Sequence, residues 1–271
     1  MGKYDIRLFC ELNDRYRSTP LVPAPNPLTG PGKDEQAMNR VRQIQKQIDL
    51  RGKRVLEIGC GRGHLATAIA ATCEAQVTGV DIVNYPEWQD DACAGVDLRK
   101  MDLTTDDISS LGHFDAIVSL VVMEHVLHPY SMLTAMYNLL RPGGQLYLSA
   151  NLYRGPKASH RYRDIFFPWP HLLFTDDVFA QFYRLRLGPT APRKVSSWVN
   201  KLTYAHYKLY FDQLGFESQA VWLSPSSFDE SAYLEHSEVL ERYPIFDLSH
   251  DFIYAHLTRP ELETRPLQEE A

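Results

Sequence analysis

Three glycines at alternate positions, Gly59, Gly61 and Gly63, follow the apolar run Val55-Leu56-Glu57-Ile58 and lead into Leu65, Ala68, Ile69 and Cys73, which recur at helical spacing. A strand that runs through such glycines into a helix is a place where backbone turns sharply and comes close to a ligand. A nucleotide-like ligand is therefore expected there. Asp81 ends the next apolar run, Val77-Thr78-Gly79-Val80-Asp81-Ile82, at the spacing where a carboxylate accepts hydrogen bonds from both hydroxyls of a ribose. A dinucleotide site would need a further glycine where this chain has His64, and its strand is usually apolar where this chain has Glu57, so a nicotinamide-dependent oxidoreductase is disfavoured.

Proton chemistry has three candidates. His125, in Val122-Met123-Glu124-His125, follows a strand end, where ligands of open α/β sheets bind; His160 and His171 lie further on, among aromatic and basic residues. Each has a competing role, His125 as half of a structural Glu-His pair and the other two as packing or surface histidines. Between residues 151 and 210 the chain carries ten Lys or Arg against three acids, in a protein whose net charge is −6, together with 13 of its 31 aromatic residues. Tyr153, Phe167 and Trp169 could wall a pocket, while Arg154, Arg161 and Arg163 could clamp a carboxylate or phosphate. Alternatively the aromatics are the core of a helical cap and the cations pair with the acidic C-terminal region, including Glu235, Glu238 and Glu241.

These residues need a frame, and the hydrophobic pattern supplies one. Met38, Val41, Ile44 and Ile48 mark a helix over 34–49, after which strands are expected at 54–58, 76–82, 96–100, 114–121 and 145–150. A helix over 129–140 should be stopped by Arg141-Pro142-Gly143-Gly144, and helices near 175–185, 196–214 and 229–241 should alternate with strands at 217–223 and 251–258. That alternation implies an α/β fold with a mostly parallel sheet covered on both faces. The expected organisation is a Pro-rich arm over 1–33, one domain over 34–258 with a cap inserted at 151–210, and a loose tail over 259–271.

The 271 residues are 44% hydrophobic and 23% charged, as in a globular protein, and the absence of a long apolar run points to a cytoplasmic protein without a membrane anchor. Cys10, Cys60, Cys73 and Cys93 form no metal or disulfide spacing, and the acidic balance argues against nucleic acid as the main partner.

Taken in order, the glycine motif, Asp81, Asp102-Leu103, and Phe114–Ser119 before a helix ending in Arg-Pro-Gly-Gly resemble the class I S-adenosylmethionine-dependent methyltransferases. The branch is that of ubiquinone-biosynthesis and related small-molecule O-methyltransferases. The likeness is strong over about 34–150 and weak over 205–258. It implies a seven-stranded, mostly parallel Rossmann-like sheet with the aromatic, basic helical insertion after strand five. It also implies that Gly59, Gly61 and Gly63 border the methionine part of the cofactor and Glu57 orients it. Asp81 would hold the ribose, Asp102 the adenine amino group, Ile82 and Leu103 would pack on the adenine, and Ser119 would lie beside the sulfonium. No metal is required. The expected reaction is methyl transfer to an oxygen, less readily a nitrogen, of a small anionic or ring-containing metabolite. Two alternatives stand beside it: a protein or RNA methyltransferase that docks through the basic segment, and a regulatory subunit that binds the cofactor without turnover.

Overall fold

The computed structural model describes residues 3–22, 30–197, 199–226 and 228–261. Its elements run α1 (Ile6–Arg15), α2 (Gly30–Ile44), β1 (Arg54–Ile58), α3 (His64–Cys73), β2 (Gln76–Asp81), β3 (Asp97–Lys100), β4 (Phe114–Leu120), α4 (Pro129–Leu139), β5 (Leu140–Asn151), α5 (Pro170–Leu173), α6 (Asp176–Leu187), α7 (Tyr204–Leu214), β6 (Glu217–Pro225), α8 (Glu230–Glu235), α9 (Ser237–Leu240), α10 (Ile245–Leu248) and β7 (His250–Thr258).

The seven strands form one sheet in the order β3-β2-β1-β4-β5-β7-β6. Strands β1 to β5 are parallel, and β7 inserts antiparallel between β5 and β6. Because β1 is buried on both sides, its alternate residues face two different cores: Leu56 packs with Ile117, Leu146 and the α4 and α7 side chains, while Val55 packs with Val118, Tyr147 and the α2 and α3 side chains. This is the seven-stranded, mostly parallel sheet with helices on both faces that the sequence pattern anticipates.

Four local expectations are corrected. Arg141-Pro142-Gly143-Gly144 belongs to β5 rather than to a separate turn. Its backbone is satisfied by the Gly143 N–H donating to the Arg259 carbonyl and the Arg259 N–H to that of Gly144. Arg259, placed in the loose tail by sequence, also donates through its guanidinium to the carbonyls of Tyr137, Asn138 and Leu140, closing the C-terminus of α4; the tail beyond 261 lies outside the described residues. Residues 196–197 and 199–203 are irregular instead of helical, since Asn200 spends its polar groups on the carbonyls of Met123, Glu124 and Val126, and helix α7 starts only at a Thr203–His206 capping box. The acidic helix splits at His236 into α8 and α9.

The N-terminal region holds a helix that periodicity alone does not reveal. Asp5 caps α1 by accepting from the Arg7 and Leu8 N–H groups, and Phe9, Leu12 and Asn13 face inward. The Phe9 ring meets those of Phe167, Phe174, Phe179 and Phe182 at centroid distances of 4.8 to 5.2 Å. Buried Asn13 donates to the Asp164 carbonyl and accepts from the Phe166 N–H. Of the Pro-rich stretch, residues 23–29 lie outside the described residues, and α2 begins at Gly30.

No helix among the described residues is long and apolar enough to cross a membrane, and the four cysteines are free. Phe9→Ala, which empties the centre of this aromatic cluster, should cost about 3–5 kcal/mol of unfolding free energy in urea titration, against about 1–3 kcal/mol for Asn13→Ala, which orphans two backbone groups.

Candidate active site

The parallel register lines up the strand ends. Ile58 of β1 stands opposite Val80 of β2 on one side and Ser119 of β4 on the other, and Asp81 stands opposite Lys100 of β3. Gly59, Asp81, Asp102 and Ser119 therefore share the carboxyl edge of the sheet, where open α/β sheets bind ligands. Glu57, Gly59 and Gly61 border a cavity of about 960 Å³ at this edge, lined also by residues of α2, of the 162–166 stretch and of 17–22.

The glycine turn is tightly determined. Gly59 has φ 74°, and a Cβ there would run into the Val122 side chain, so no other residue fits without moving the loop after β4. Gly63, at φ 87°, caps α3 and meets Leu98 and Cys93 closely, so its role is packing of the turn against β3. The Asp81 carboxylate accepts from the Gly61 N–H and the Val83 N–H, both at 2.9 Å. From behind, Trp88 donates its indole N–H to the Gly61 carbonyl at 2.8 Å. Trp88 was not singled out in the sequence, because its segment carries no regular period.

Glu57 is 5% exposed, and its Oε2 has no hydrogen-bond partner. Burial pushes its carboxyl up to about 8, opposed by the Ala66 N–H and by the charge of Arg40. An orphaned buried carboxyl at the edge of a cavity is matched by a cationic amino group of a ligand. Ile82 is exposed beside Asp81, Leu103 is buried, and Asp102 accepts from the N–H and hydroxyl of Thr104, which hold its carboxyl below the usual range. Ser119 is fully buried with an unpartnered hydroxyl, and its neighbour Leu120 is the residue that borders the cavity. Val121 then adopts φ 59°, a strained conformation for a β-branched residue, at the start of the loop that carries His125.

The three histidines separate. His125 is exposed on that loop, next to Glu124, which is buried and pushed up to about 7 by desolvation. The His125 ring meets the His160 ring edge-on at 5.1 Å. His160, at φ 53°, is lowered to about 4 by burial and by the nearby His125 and Arg161 charges. His171 sits among the buried aromatics, its Nε2 2.6 Å from the Tyr153 carbonyl and its pKa lowered to about 4 by burial; like His125 and His160, it is not among the residues that line the cavity.

The substrate-segment candidates separate too. Arg163 borders the cavity, beside Tyr162 and Phe166. Phe167 and Trp169 are instead fully buried in the cap core, with the Trp169 indole donating to the Leu248 carbonyl. Tyr153 packs on the same core, Arg154 pairs with Asp247, and buried Arg161 donates to the Val195 carbonyl. The cap thus uses most of its aromatics to hold itself together. Cavity residues that sequence reasoning missed are Arg17, Lys33, Arg40 and Tyr162, which come from segments with no motif of their own.

The Glu57 carboxyl is protonated in the folded protein at pH values where it is ionised in the unfolded chain. Since its folded value lies above its unfolded one, the cofactor-free protein loses stability as pH rises from the ordinary carboxylate range through about 8. Glu57→Gln should accordingly melt higher than the parent at pH 8.5, with the difference vanishing near pH 4.5; thermal unfolding of both proteins across this range checks it.

Comparison with known proteins agrees with this geometry. A family model described as a methyltransferase domain matches residues 34–218. Ubiquinone biosynthesis O-methyltransferases of Dechloromonas aromatica and Pseudomonas aeruginosa are 39% and 38% identical over 124 residues, 44% of this chain and 53% of theirs, so the chain spans about half the length of the curated relatives it matches. Among solved structures, an S-adenosylmethionine-dependent methyltransferase from Mesorhizobium loti has TM-score 0.52 at 16% identity, covering 83% of this chain and 100% of its own. The magnesium protoporphyrin IX methyltransferase of Synechocystis, with bound S-adenosylhomocysteine, has TM-score 0.50 at 16% identity over 95% and 100%. The chain belongs to the methyltransferase-domain family, and its fold is that of the class I S-adenosylmethionine-dependent methyltransferases.

Proposed function

We propose that this protein transfers the methyl group of S-adenosylmethionine to an oxygen of a small molecule that carries an anionic group, a ring, or both. The observation that carries the reading is the cavity of about 960 Å³ at the glycine turn, lined also by residues of the 162–166 stretch and the N-terminal segment. A cavity of this size suits a small metabolite beside the cofactor. The residues present fit the cofactor: the unpartnered Glu57 oxygen, which borders the cavity with Arg40, would take its amino group, and Asp81, Asp102, Ile82 and Leu103, on the same sheet edge but outside the cavity lining, would take its ribose and adenine. When bound, it supplies an electrophilic methyl group on a sulfonium. The protein then has to align the acceptor oxygen and, for a hydroxyl, receive its proton.

His125 is the base in this reading, and His160, set edge-on against it, fixes the ring. His171 drops out, since its buried ring is engaged within the cap.

The cap's cations weigh against a protein or RNA acceptor. Arg154, Lys157, Arg186 and Arg193 pair with Asp247, Asp251, Asp164 and Asp177, so they do not form a continuous exposed stripe for docking. The acidic residues Glu235 and Glu238 pair instead with Arg15 and Lys3 of the N-terminal region.

Calorimetry should detect S-adenosylmethionine and S-adenosylhomocysteine binding to the parent, weakened more than about tenfold in Gly59→Ala because its Cβ displaces the loop after β4. Formation of S-adenosylhomocysteine with a library of small acids and phenols, and not with peptides or RNA, supports the reading; the reverse pattern would move it to a macromolecular acceptor, and binding without any turnover to a regulatory subunit. With an active acceptor, His125→Gln should lower kcat by roughly 10²- to 10⁴-fold while leaving cofactor affinity unchanged.

A further inference from the structure

Five cationic side chains border the cavity, Arg17, Lys33, Arg40, Arg62 and Arg163, against one carboxylate, Glu57. Arg62 is neutralised by Glu87, and Arg17 shares an exposed pair with Asp14. Lys33, Arg40 and Arg163 have no carboxylate partner among the described residues. S-adenosylmethionine deepens this imbalance, because its sulfonium and ammonium outweigh its single carboxylate and it enters with a net positive charge. A cleft lined mainly by one sign of charge concentrates that field, so the second ligand is the group that must compensate it.

The cations also divide by position. Arg40 comes from α2 and acts electrostatically on Glu57, where its charge offsets part of the rise that burial imposes on the Glu57 carboxyl. Arg17 and Arg163 come from two other segments of the lining, which are tied to each other: the Leu21 N–H donates to the Phe166 carbonyl at 2.9 Å, and Asn13 bridges Asp164 and Phe166. Tyr162 and Phe166 line the cavity with them. The Arg17–Asp14 pair has both side chains more than two-thirds exposed, so giving it up for a ligand costs little.

We propose that Arg163 and Arg17 form an anion clamp for the methyl acceptor, and that the acceptor is a ring compound bearing a carboxylate or a phosphate, recognised by this clamp with Tyr162 and Phe166 against its ring. The proposal rests on the reading of the cavity as a methyl-transfer site and narrows its substrate class. It replaces Arg154 and Arg161, which the fold consumes internally, by an arginine of the N-terminal segment and one of the cap. Arginine suits the role because its planar fork meets a carboxylate or phosphate with two parallel bonds.

The test uses the full chain loaded with S-adenosylhomocysteine, titrated by calorimetry with benzoate, phenyl phosphate and benzamide. Binding of at least one of the two anions, and weaker or undetectable binding of neutral benzamide, is expected; the preference between the anions tells carboxylate from phosphate. Arg163→Gln and Arg17→Gln should each weaken anion binding by roughly tenfold to a hundredfold without changing affinity for S-adenosylhomocysteine. Arg184→Gln, an exposed change on α6, should leave both affinities alone. The proposal is overturned if benzamide binds as well as the anions, if neither anion binds the loaded protein, or if the two arginine variants bind them undiminished. Should S-adenosylhomocysteine itself fail to bind, the methyl-transfer reading falls; anion binding to the free protein that still depends on Arg163 would then show the clamp standing without it.

Discussion

The Asp81 carboxylate is the pin on which the carboxyl edge of the sheet turns. By accepting from the Gly61 and Val83 N–H groups it satisfies two backbone donors where β1 and β2 give way to loops, and locks the glycine turn against the end of β2. The turn can be pinned there only because β1 and β2 run parallel in register, with Ile58 opposite Val80, which delivers residues distant in sequence to one level of the sheet edge. Val122 then fits into the space that Gly59 leaves empty, so the loop after β4 is positioned by the same turn. Ligand wall, glycine turn and the loop bearing His125 are in this sense one object.

Around that object the molecule accepts local costs. Glu57 is buried without a full set of partners, Ser119 buries an unpartnered hydroxyl, and Val121 sits in a left-handed conformation that L side chains avoid. Each is of the order of 1–3 kcal/mol, and together they are sustained by the close-packed cores on the two faces of the sheet. Their concentration at one edge is what a site shaped for a ligand, rather than for its own stability, produces.

The cap obeys a different logic. Its aromatics gather around Phe9, an element from the other end of the chain, and four of its cations, Arg154, Lys157, Arg186 and Arg193, meet acids within the fold. Closing the aromatic core brings the 162–166 stretch and residues 17–22 into one wall, so the residues that face the cavity are the few that the core does not use. A basic, aromatic composition therefore describes the segment as a whole, while among its described residues Tyr162, Arg163 and Phe166 reach the cavity.

What the sequence by itself determined is the sheet and the turn at its carboxyl edge. Gly59, Glu57 and Asp81 show there as local features, a left-handed turn, an acid in an apolar strand and a strand-end carboxylate, and local features are written in consecutive residues. The strand and helix order followed from hydrophobic period for the same reason. Tertiary structure decided the rest of the cavity lining. Whether Arg163 or Arg161 faces the cavity, whether His171 is free or held against the Tyr153 carbonyl, and that Arg17 belongs to the site at all depend on how α1 docks on α6 and the aromatic cluster. That docking is set by contacts between residues more than 150 positions apart, such as Phe9 with Phe167 and Asn13 with Asp164, and no local period records them.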